Sequence, residues 1–350
     1  MSRCEIRGAI YIPSRAYNAP QMWKNYSASE TARDIGYAKS VNLNAFRVWL
    51  SWEYWLRHPD HFTDSFEDFL DQCSSAGIGV MPSLFENCGV PPTEENIWST
   101  DPTRAFAINS PHKKEIIADQ TRWKEPAEFI KWFMRHYRND RRLLAIETHN
   151  EPCRPNNTME FARAMFRVAA DNRGKRPLTI GSCDLIDNMY FIEYGLDVLQ
   201  FHHNFPKDHA DLMKSPKGIE IALQSSRILE KPVWITELQR LRPTDPGWGN
   251  IELPQTELEP DLASVMPIVH ETGIGFFFWS LMLKPAYLPN QRGKGTINGL
   301  FQENGSVWSI ADARSVADDQ TLLFYENRTW PVTAPAKLWR NITSEGSIGG

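Results

Sequence analysis

Two glutamates stand at the ends of strand-like segments, where they could work as a pair of carboxylates. Glu151 follows the apolar run RLLAIETH within the segment HNEP, and Glu237 ends the run PVWITE. Burying a carboxylate is costly unless it is paired, so a glutamate at such a position suits chemistry better than stability. Glycoside hydrolysis requires one carboxylic acid that protonates the leaving oxygen and one carboxylate that meets the positive charge at the anomeric carbon. The two glutamates have the residue type and the placement for that chemistry.

The segments that must position these glutamates are apolar runs alternating with helix-like stretches. Several of the runs are continuous hydrophobic strings, which is typical of strands buried on both faces of a parallel sheet. The runs are 8–12, 44–50, 77–85, 142–149, 177–182, 197–203, 232–238 and 273–281. Because each is followed by a connection long enough for a helix, the pattern predicts a single closed (β/α)8 TIM barrel of the α/β class. Neither GxGxxG nor GxxxxGK[ST] follows the first run, which argues against an open nucleotide-binding sheet.

The chain length of 350 residues suits one such barrel with long loops. We expect the catalytic barrel to occupy residues 1–325. The segment 326–350 is punctuated by Pro and Gly and is predicted to be an extension that packs on the barrel and frays at its end. The long connections 86–124 and 239–258 follow the third and seventh runs. Since barrel enzymes build their sites at the carboxyl ends of the strands, these two loops are expected to form the walls of the site.

Composition limits the partners of the chain. Lys and Arg number 38 against 43 Asp and Glu, a net charge of −5, so nucleic acid is not an expected partner. The longest apolar run, 273–283, is too short to span a bilayer, so no membrane association is expected. The first fifteen residues lack the apolar core of a secretory signal, and the five cysteines form no CxxC pair. These features favour a cytoplasmic protein with reduced thiols, while a secreted form with its signal removed stays open, as does the oligomeric state.

Four segments of the chain resemble glycoside hydrolase clan A, and most of all its family 5, the retaining (β/α)8 glycosidases of the cellulase and mannanase type. The segments are NAFRVW (44–49), NDRRLLAIETHNEP (139–152), VWITE (233–237) and FFFWSL (276–281). Their order extends the resemblance over about residues 6 to 310. The resemblance implies a retaining glycoside hydrolase that cleaves a β-linked glycoside or oligosaccharide by double displacement, with a carbohydrate substrate, no cofactor and no metal.

The resemblance also implies roles for particular residues. Glu151 matches the acid/base and Glu237 the nucleophile, with carboxyl groups roughly 5–5.5 Å apart. Asn150 matches the residue that hydrogen-bonds the sugar 2-hydroxyl. Arg47 matches the arginine that keeps the nucleophile ionised, in agreement with the lowered carboxyl pKa that an adjacent guanidinium supplies.

Other side chains are expected to surround the sugar. By the same resemblance, His149 and His203 would line the reacting sugar. Trp279 would form its floor, with a cis peptide bond to Ser280. The chain also holds thirteen tryptophans, and their flat faces suit the C–H faces of sugars or the filling of a large core. Trp49, near the end of the second run, could be a platform for a sugar or could fill the core. Glu86, after the third run, could reach the site or could only contact solvent from its loop.

The sixth run departs from the family pattern. The family has His-x-Tyr there, with the Tyr bonded to the nucleophile, whereas an alignment that starts at His203 places Phe205 at the Tyr position. The missing hydroxyl could come from Tyr11 or Tyr190, or His202 could take the role, or the environment of the nucleophile could differ.

Three other functions remain compatible with such a barrel. One is a carbohydrate-binding barrel without catalysis, and another is transglycosylation by the same site. A metal-dependent isomerase or an aldolase needs clustered ligands or a strand-end lysine. His149, His202 and His203 with Glu147 lack metal-site spacing on a helix, and adjacent histidines of a strand point to opposite faces. Lys284 reads as a loop residue. The sugar, the linkage and the choice between exo and endo action are not decided by the sequence.

Overall fold

The computed structural model contains the eight strands that the sequence predicts. It describes residues 6–101, 104–153, 157–204, 212–239, 262–285, 297–307 and 309–318, and residue 331. The strands are β1 (Arg7–Ile10), β2 (Ala45–Trp49), β3 (Gly79–Ser83), β4 (Ile146–Asn150), β5 (Leu178–Gly181), β6 (Leu199–His203), β7 (Val233–Leu238) and β8 (Gly275–Phe278). A short antiparallel pair, β9 (Lys284–Pro285) and β10 (Ile297–Asn298), follows them.

The eight strands form one parallel sheet that curls into a nearly closed barrel. Their order is β5-β4-β3-β2-β1-β8-β7-β6. The two outermost strands approach each other where Thr179 forms a parallel bridge with Val198, and the Thr179 hydroxyl donates to the Val198 carbonyl at 2.8 Å. The predicted single (β/α)8 barrel is confirmed.

Helices connect the strands and cover the outside of the barrel. Their apolar residues recur at helical spacing, and in the helix 124–137 the side chains of Phe129, Ile130 and Phe133 are buried together. The helices are α1 (Ala19–Lys24), α2 (Ala28–Ser40), α3 (Trp52–Arg57), α4 (Pro59–Ser75), α5 (Glu94–Trp98), α6 (Lys124–Tyr137), α7 (Thr158–Asp171), α8 (Ser215–Leu229), α9 (Leu262–Thr272) and α10 (Ile310–Ala317). Shorter helical turns lie at 113–117, 120–122, 185–190 and 192–194.

A small apolar layer is distinct from the large core. It consists of Ala45, Met81, Ala145 and Phe277, all fully buried. Gly8 pairs with Phe277 across β1 and β8, and a Cβ on Gly8 would lie 2.3 Å from the Phe277 ring. Glycine is therefore required at position 8, because the aromatic ring fills the space that a side chain would need.

The described residues cover only part of the predicted loops and extension. The connection 86–124 is described except at residues 102 and 103, whereas the connection 239–258 lies outside the described residues after Gln239. Of the predicted extension 326–350, only Pro331 is described, and its carbonyl accepts from the Val307 amide at 2.8 Å. None of the described helices has the length and apolarity that a membrane crossing needs.

Candidate active site

The two predicted glutamates meet at the carboxyl ends of β4 and β7. His202 Nδ1 lies 2.5 Å from Glu151 Oε1 and 3.5 Å from Glu237 Oε2. The Asn204 amide nitrogen reaches the same two oxygens, at 3.4 Å and 3.2 Å respectively. Two residues from the end of β6 thus bridge two carboxylates that are 86 positions apart in the chain.

The backbone at Glu151 is strained. Its φ of 46° lies in the left-handed region, which a residue with a side chain adopts at a cost of roughly 1–3 kcal/mol. The Glu151 amide donates to the Gly181 carbonyl at 2.7 Å, so β5 holds this conformation in place. Strain of this kind persists where the surrounding structure fixes a side chain for a task.

The carboxylate of Glu151 is partly exposed and receives several donors. Its side chain retains 17% exposure, and the Cys88 thiol donates to Oε2 at 2.9 Å. Burial alone would raise the pKa of Glu151, but the hydrogen bond and charge of His202 outweigh it and lower that pKa to about 2. The pKa of His202 moves the other way, since Glu237 and Glu151 raise it against the lowering effect of burial. The proton of this pair therefore resides on His202 in the free site.

Arg47 holds Glu237 and Glu147 together beneath the site. From β2, its Nη1 donates to Glu237 Oε1 at 2.9 Å, which is the predicted contact with the nucleophile. Its Nε and Nη2 donate to the two oxygens of Glu147 at 3.0 Å and 2.7 Å, and Nη2 also donates to Asn150 Oδ1 at 2.5 Å. Arg47 and Glu147 are fully buried, so the charges stabilise each other where water cannot.

Glu237 is nearly enclosed, with 3% exposure. Burial, with the charge of Glu151, raises its pKa overall, although His202 and Arg47 act in the opposite direction. Arg47 donates to one carboxylate oxygen and Asn204 to the other. These donors favour the ionised form and fix the orientation of the carboxylate.

A glycine in β5 makes room for the Arg47 network. A Cβ on Gly181 would lie 2.9 Å from Arg47 Nη2, Asn150 Oδ1 and Glu147 Oε1. Real Cβ atoms do not approach polar atoms so closely, so any larger residue here would displace the network. The roles of Gly181 and Glu147 beside Arg47 were not predicted. Glu147 was considered only as a metal ligand, and its one signal was a charged residue inside an apolar strand.

The structure shifts the expected alignment of β6 by one residue. His202 and Asn204 contact the carboxylates where His203 was expected, and the Asn204 amide makes the bond to Glu237 that the family pattern assigns to the Tyr hydroxyl. His203 turns away, its Nε2 lying 2.8 Å from Ser215 Oγ at the start of α8. Ordinary alternation accounts for this, because His202 and Asn204 are two positions apart and share a face, whereas His203 between them faces the other way. Phe205 lies outside the described residues.

His149 is not among the residues that contact the carboxylates, and its expected place beside the sugar stays a prediction. Its ring is fully buried and packs against Phe85 and Phe161, with centroids 6.1 Å and 5.7 Å away. An irregularity in β4 between Glu147 and Asn150 places those two residues together on Arg47, so alternation fails and His149 packs against α7. Neither ring nitrogen has a hydrogen-bond partner among the described residues, and burial lowers the pKa of His149 to about 3.

Tyr11 is also absent from the group. Its ring stacks on Phe46 and Phe69, with centroids 5.0 Å and 5.8 Å away, and its hydroxyl donates to Asp34 Oδ2 at 3.0 Å. Asp34 belongs to α2, so the hydroxyl points to a covering helix and cannot replace the missing family Tyr. The expectation of a sugar contact at Tyr11 is therefore not supported.

Trp49 and Trp279 lie side by side next to the network. Their ring centroids are 5.3 Å apart, and the guanidinium carbon of Arg47 lies 4.9 Å from the Trp49 ring. The peptide bond between Trp279 and Ser280 is cis, as the resemblance implied. Both rings are buried in this structure, with 3% and 6% exposure, so they form a wall rather than an open platform.

Glu86 supports Asn150 from the loop after β3. Its two oxygens accept from Asn150 Nδ2 at 3.0 Å and 3.1 Å, and Oε1 accepts from the Cys88 amide at 2.6 Å. Burial raises the pKa of Glu86 to about 8. A pocket next to it is lined by Trp49, Glu53 and Ser110 among others, and burial raises the pKa of Glu53 to about 7.

Comparison with known proteins gives matches in structure alone. No protein-family model and no curated protein matches the sequence. GH5_18 from Streptomyces cattleya in complex with GlcNAc aligns with a TM-score of 0.60 at 12% identity, covering 98% of this chain and 88% of that one. The endo-1,4-beta-D-mannanase from Thermotoga petrophila RKU-1 aligns with a TM-score of 0.59 at 13% identity, covering 92% of this chain and 100% of that one. The exo-beta-1,4-mannosidase Op5Man5 from Opitutaceae bacterium strain TAV5 aligns with a TM-score of 0.62 at 17% identity, covering 89% of this chain and 58% of that one.

These likenesses establish the class of fold. The chain has the (β/α)8 barrel of GH5 structures, the same family that its sequence segments resemble. At identities of 12–17% the likeness shows the fold, and the chemistry must be argued from the residues at the strand ends.

Proposed function

We propose that the protein is a retaining glycoside hydrolase with Glu237 as nucleophile and Glu151 as acid/base. The observation that carries the proposal is that both carboxylates contact His202 Nδ1, at 2.5 Å and 3.5 Å. The sum of those distances is an upper limit on the separation of the two contacting oxygens. Oxygens this close support the short separation of carboxyl groups, roughly 5–5.5 Å, that retaining enzymes use, rather than the roughly 6.5–9.5 Å of inverting enzymes.

In the first step, ionised Glu237 attacks the anomeric carbon and the glycosidic bond breaks. Arg47 and Asn204 hold one oxygen each of the Glu237 carboxylate, which keeps the nucleophile ionised and aimed. The leaving oxygen takes a proton from Glu151, and a covalent glycosyl-enzyme forms.

His202 supplies the proton that Glu151 must donate. In the free site the proton resides on His202 Nδ1, 2.5 Å from Glu151 Oε1. Transfer across that contact gives neutral His202 and protonated Glu151, which then acts as the general acid. In the second step, Glu151 takes a proton from water as the water displaces Glu237, and the proton returns to the pair.

The comparisons suggest which sugars to test first. A GH5_18 enzyme from Streptomyces cattleya is known in complex with Manb1-4GlcNAc, and two other similar structures are a mannanase and an exo-mannosidase. We therefore propose a β-linked mannoside as the first candidate substrate. A reducing cytoplasm stays a prediction, supported by the free thiols of Cys73, Cys88, Cys153 and Cys183.

The test compares a glutamine variant of the nucleophile Glu237 with a control glutamine variant on aryl β-mannosides. Glu237→Gln should lower kcat at least about a thousandfold, because the nucleophile is lost. Glu95→Gln, a change at an exposed glutamate of α5, serves as the control and should retain full activity. Undiminished turnover by a folded Glu237→Gln protein would refute the proposal. Sugar binding without turnover across a broad glycoside panel would favour the carbohydrate-binding barrel instead.

A further inference from the structure

Three chemically different ligand groups converge around the acid/base. One ligand atom each from the Glu151 carboxylate, the Cys183 thiol and the His202 imidazole lie within 4.8 Å of one another. They come from the carboxyl ends of three consecutive strands, β4, β5 and β6. The His202 amide donates to the Cys183 carbonyl at 3.1 Å, so the backbone itself holds the thiol beside the imidazole.

The spacing of this group suits a small cation. Zinc bonds to sulfur at about 2.3 Å and to nitrogen and oxygen at about 2.0–2.2 Å, so tetrahedral ligand atoms are about 3.3–3.8 Å apart. The Glu151–His202 contact of 2.5 Å is shorter than that because a proton occupies it. Replacing this proton by a metal would move the two groups apart by about 1 Å, which side-chain rotation can supply.

The chemistry of the group selects the class of metal. Magnesium and calcium take sets of oxygen ligands, whereas mixed sulfur, nitrogen and oxygen sets suit zinc and its softer relatives. The side chain of His202 is 1% exposed and that of Glu151 is 17% exposed, so Glu151 is the more accessible of the two to solvent. The Cys88 thiol contacts the other Glu151 oxygen at 2.9 Å and is not one of the three groups.

We propose that Glu151, Cys183 and His202 form an inhibitory site for a thiophilic divalent cation of the zinc class. On binding, the Cys183 thiol loses its proton and the proton shared by His202 and Glu151 also leaves, so two protons are released for each metal bound. The metal then bonds to thiolate, neutral imidazole and carboxylate. Glu151 can no longer donate a proton or accept one from water. The inhibition rests on the function proposed above, but the metal binding does not.

The direct test is a titration of the purified protein with Cd²⁺, followed by the ultraviolet thiolate-to-cadmium charge-transfer band. We expect one tightly bound Cd²⁺ with a thiolate ligand. Cys183→Ser and His202→Gln should each weaken binding at least about tenfold, because each removes a ligand. Cys153→Ser is the matched control: this thiol is also near Glu151 in sequence, but it accepts from Asn87 at 3.2 Å and is not one of the three groups.

A second measurement uses the unaltered protein, so it holds even where a variant does not fold. Alkylation of each cysteine by iodoacetamide is followed by mass spectrometry with and without Cd²⁺. Bound metal should protect Cys183 and leave the alkylation of Cys153 unchanged. Equal protection of both thiols, or binding that Cys183→Ser and Cys153→Ser weaken equally, would overturn the proposal.

The consequence for activity is measured separately with Zn²⁺ on an aryl β-mannoside. Inhibition should be reversed by a chelator. With each protein's activity expressed relative to its own metal-free rate, the inhibitory Zn²⁺ concentration should be at least about tenfold higher for Cys183→Ser than for the unaltered protein. Cd²⁺ binding in a protein that turns over no glycoside would sustain the site and refute the proposed function. Turnover unaffected by metal at concentrations that saturate the Cd²⁺ band would refute the inhibition.

Discussion

His202 Nδ1 lies 2.5 Å from Glu151 Oε1, shorter than the usual 2.7–3.2 Å of a hydrogen bond between nitrogen and oxygen. The imidazole is enclosed, and two carboxylates face it. The proton of this contact resides on His202 in the free enzyme, and its transfer to Glu151 would release it for the reaction.

Replacing His202 tests this proton transfer. His202→Gln should lower kcat/KM about a hundredfold on aryl β-mannosides whose leaving groups need protonation, and much less on those with acidic leaving groups. In the wild type, activity should fall as the pH rises through the raised pKa of His202, because the proton needed for Glu151 is then lost. That alkaline limb should shift or disappear in the variant, as pH profiles of both proteins would reveal. Equal losses for all leaving groups would contradict a role in proton delivery.

Gly181 tests the Arg47 network without changing any charge. The added methyl group of Gly181→Ala would crowd Arg47, Asn150 and Glu147. We expect kcat to fall at least about tenfold and stability to fall by about 1–3 kcal/mol, since the packing around a buried network cannot yield freely. Gly36→Ala in α2 is the matched control, because no atom lies within 4 Å of its added methyl group. That variant should keep full activity and gain about 0.5–1 kcal/mol. Wild-type kinetics in Gly181→Ala would contradict the steric account.

His149 predicts a loss of stability in acid. Its pKa is lowered by burial to about 3 in the folded protein, against about 6.5 in an unfolded chain. The unfolded state therefore binds the proton more readily, and stability falls as the pH drops from about 6.5 toward 3. Each pH unit in that window costs up to about 1.4 kcal/mol. His149→Leu should flatten the pH dependence of the unfolding free energy measured by urea denaturation, whereas replacing exposed His58 by Leu should not.

The buried carboxyl group of Glu53 should make the unfolding free energy depend on pH in the opposite sense, with stability falling as the pH rises. Burial raises its folded-state pKa to about 7 from an ordinary 4.5, so the folded protein holds the proton more tightly than the unfolded chain. Its contribution to stability is complete below pH 4.5 and declines as the pH rises to about 7, by up to about 3 kcal/mol. In the unaltered protein the Ser110 hydroxyl donates to Glu53 Oε2 at 2.6 Å. Glu53→Gln should keep a hydrogen bond to Ser110 and remove the decline of stability with pH. An unchanged slope between pH 5 and 8 in the variant would show that Glu53 titrates normally.

The barrel and its central residues could be predicted because they depend on strong local signals. Strands buried on both faces read as apolar strings, and each predicted run overlaps a strand of the structure. Glu151, Glu237, Arg47 and Asn150 lie at or near the ends of such strands, so a correct assignment of the strands already brings them to one edge.

The rest of the site depends on irregularities that a sequence does not reveal. Alternation along β4 places Glu147 and His149 on one face, but the irregularity before Asn150 separates them. A second one lies in β7, where Ile235 and Glu237 pair with the consecutive β6 residues Phe201 and His202, so Thr236 is the extra residue just before Glu237. Each inserts or removes one residue in a pattern of period two, so every side chain beyond it changes face.

The central claim, double displacement at Glu237, is tested most directly by trapping the intermediate. A 2-deoxy-2-fluoro-β-mannosyl fluoride should inactivate the enzyme with the gain of one sugar per chain. The fluorine at C2 slows both steps, and the activated fluoride leaving group restores only the first, so the glycosyl-enzyme accumulates. Peptide mass spectrometry should then find the sugar on Glu237. A sugar on another residue, or turnover that yields the inverted anomer without any trapped intermediate, would contradict the account.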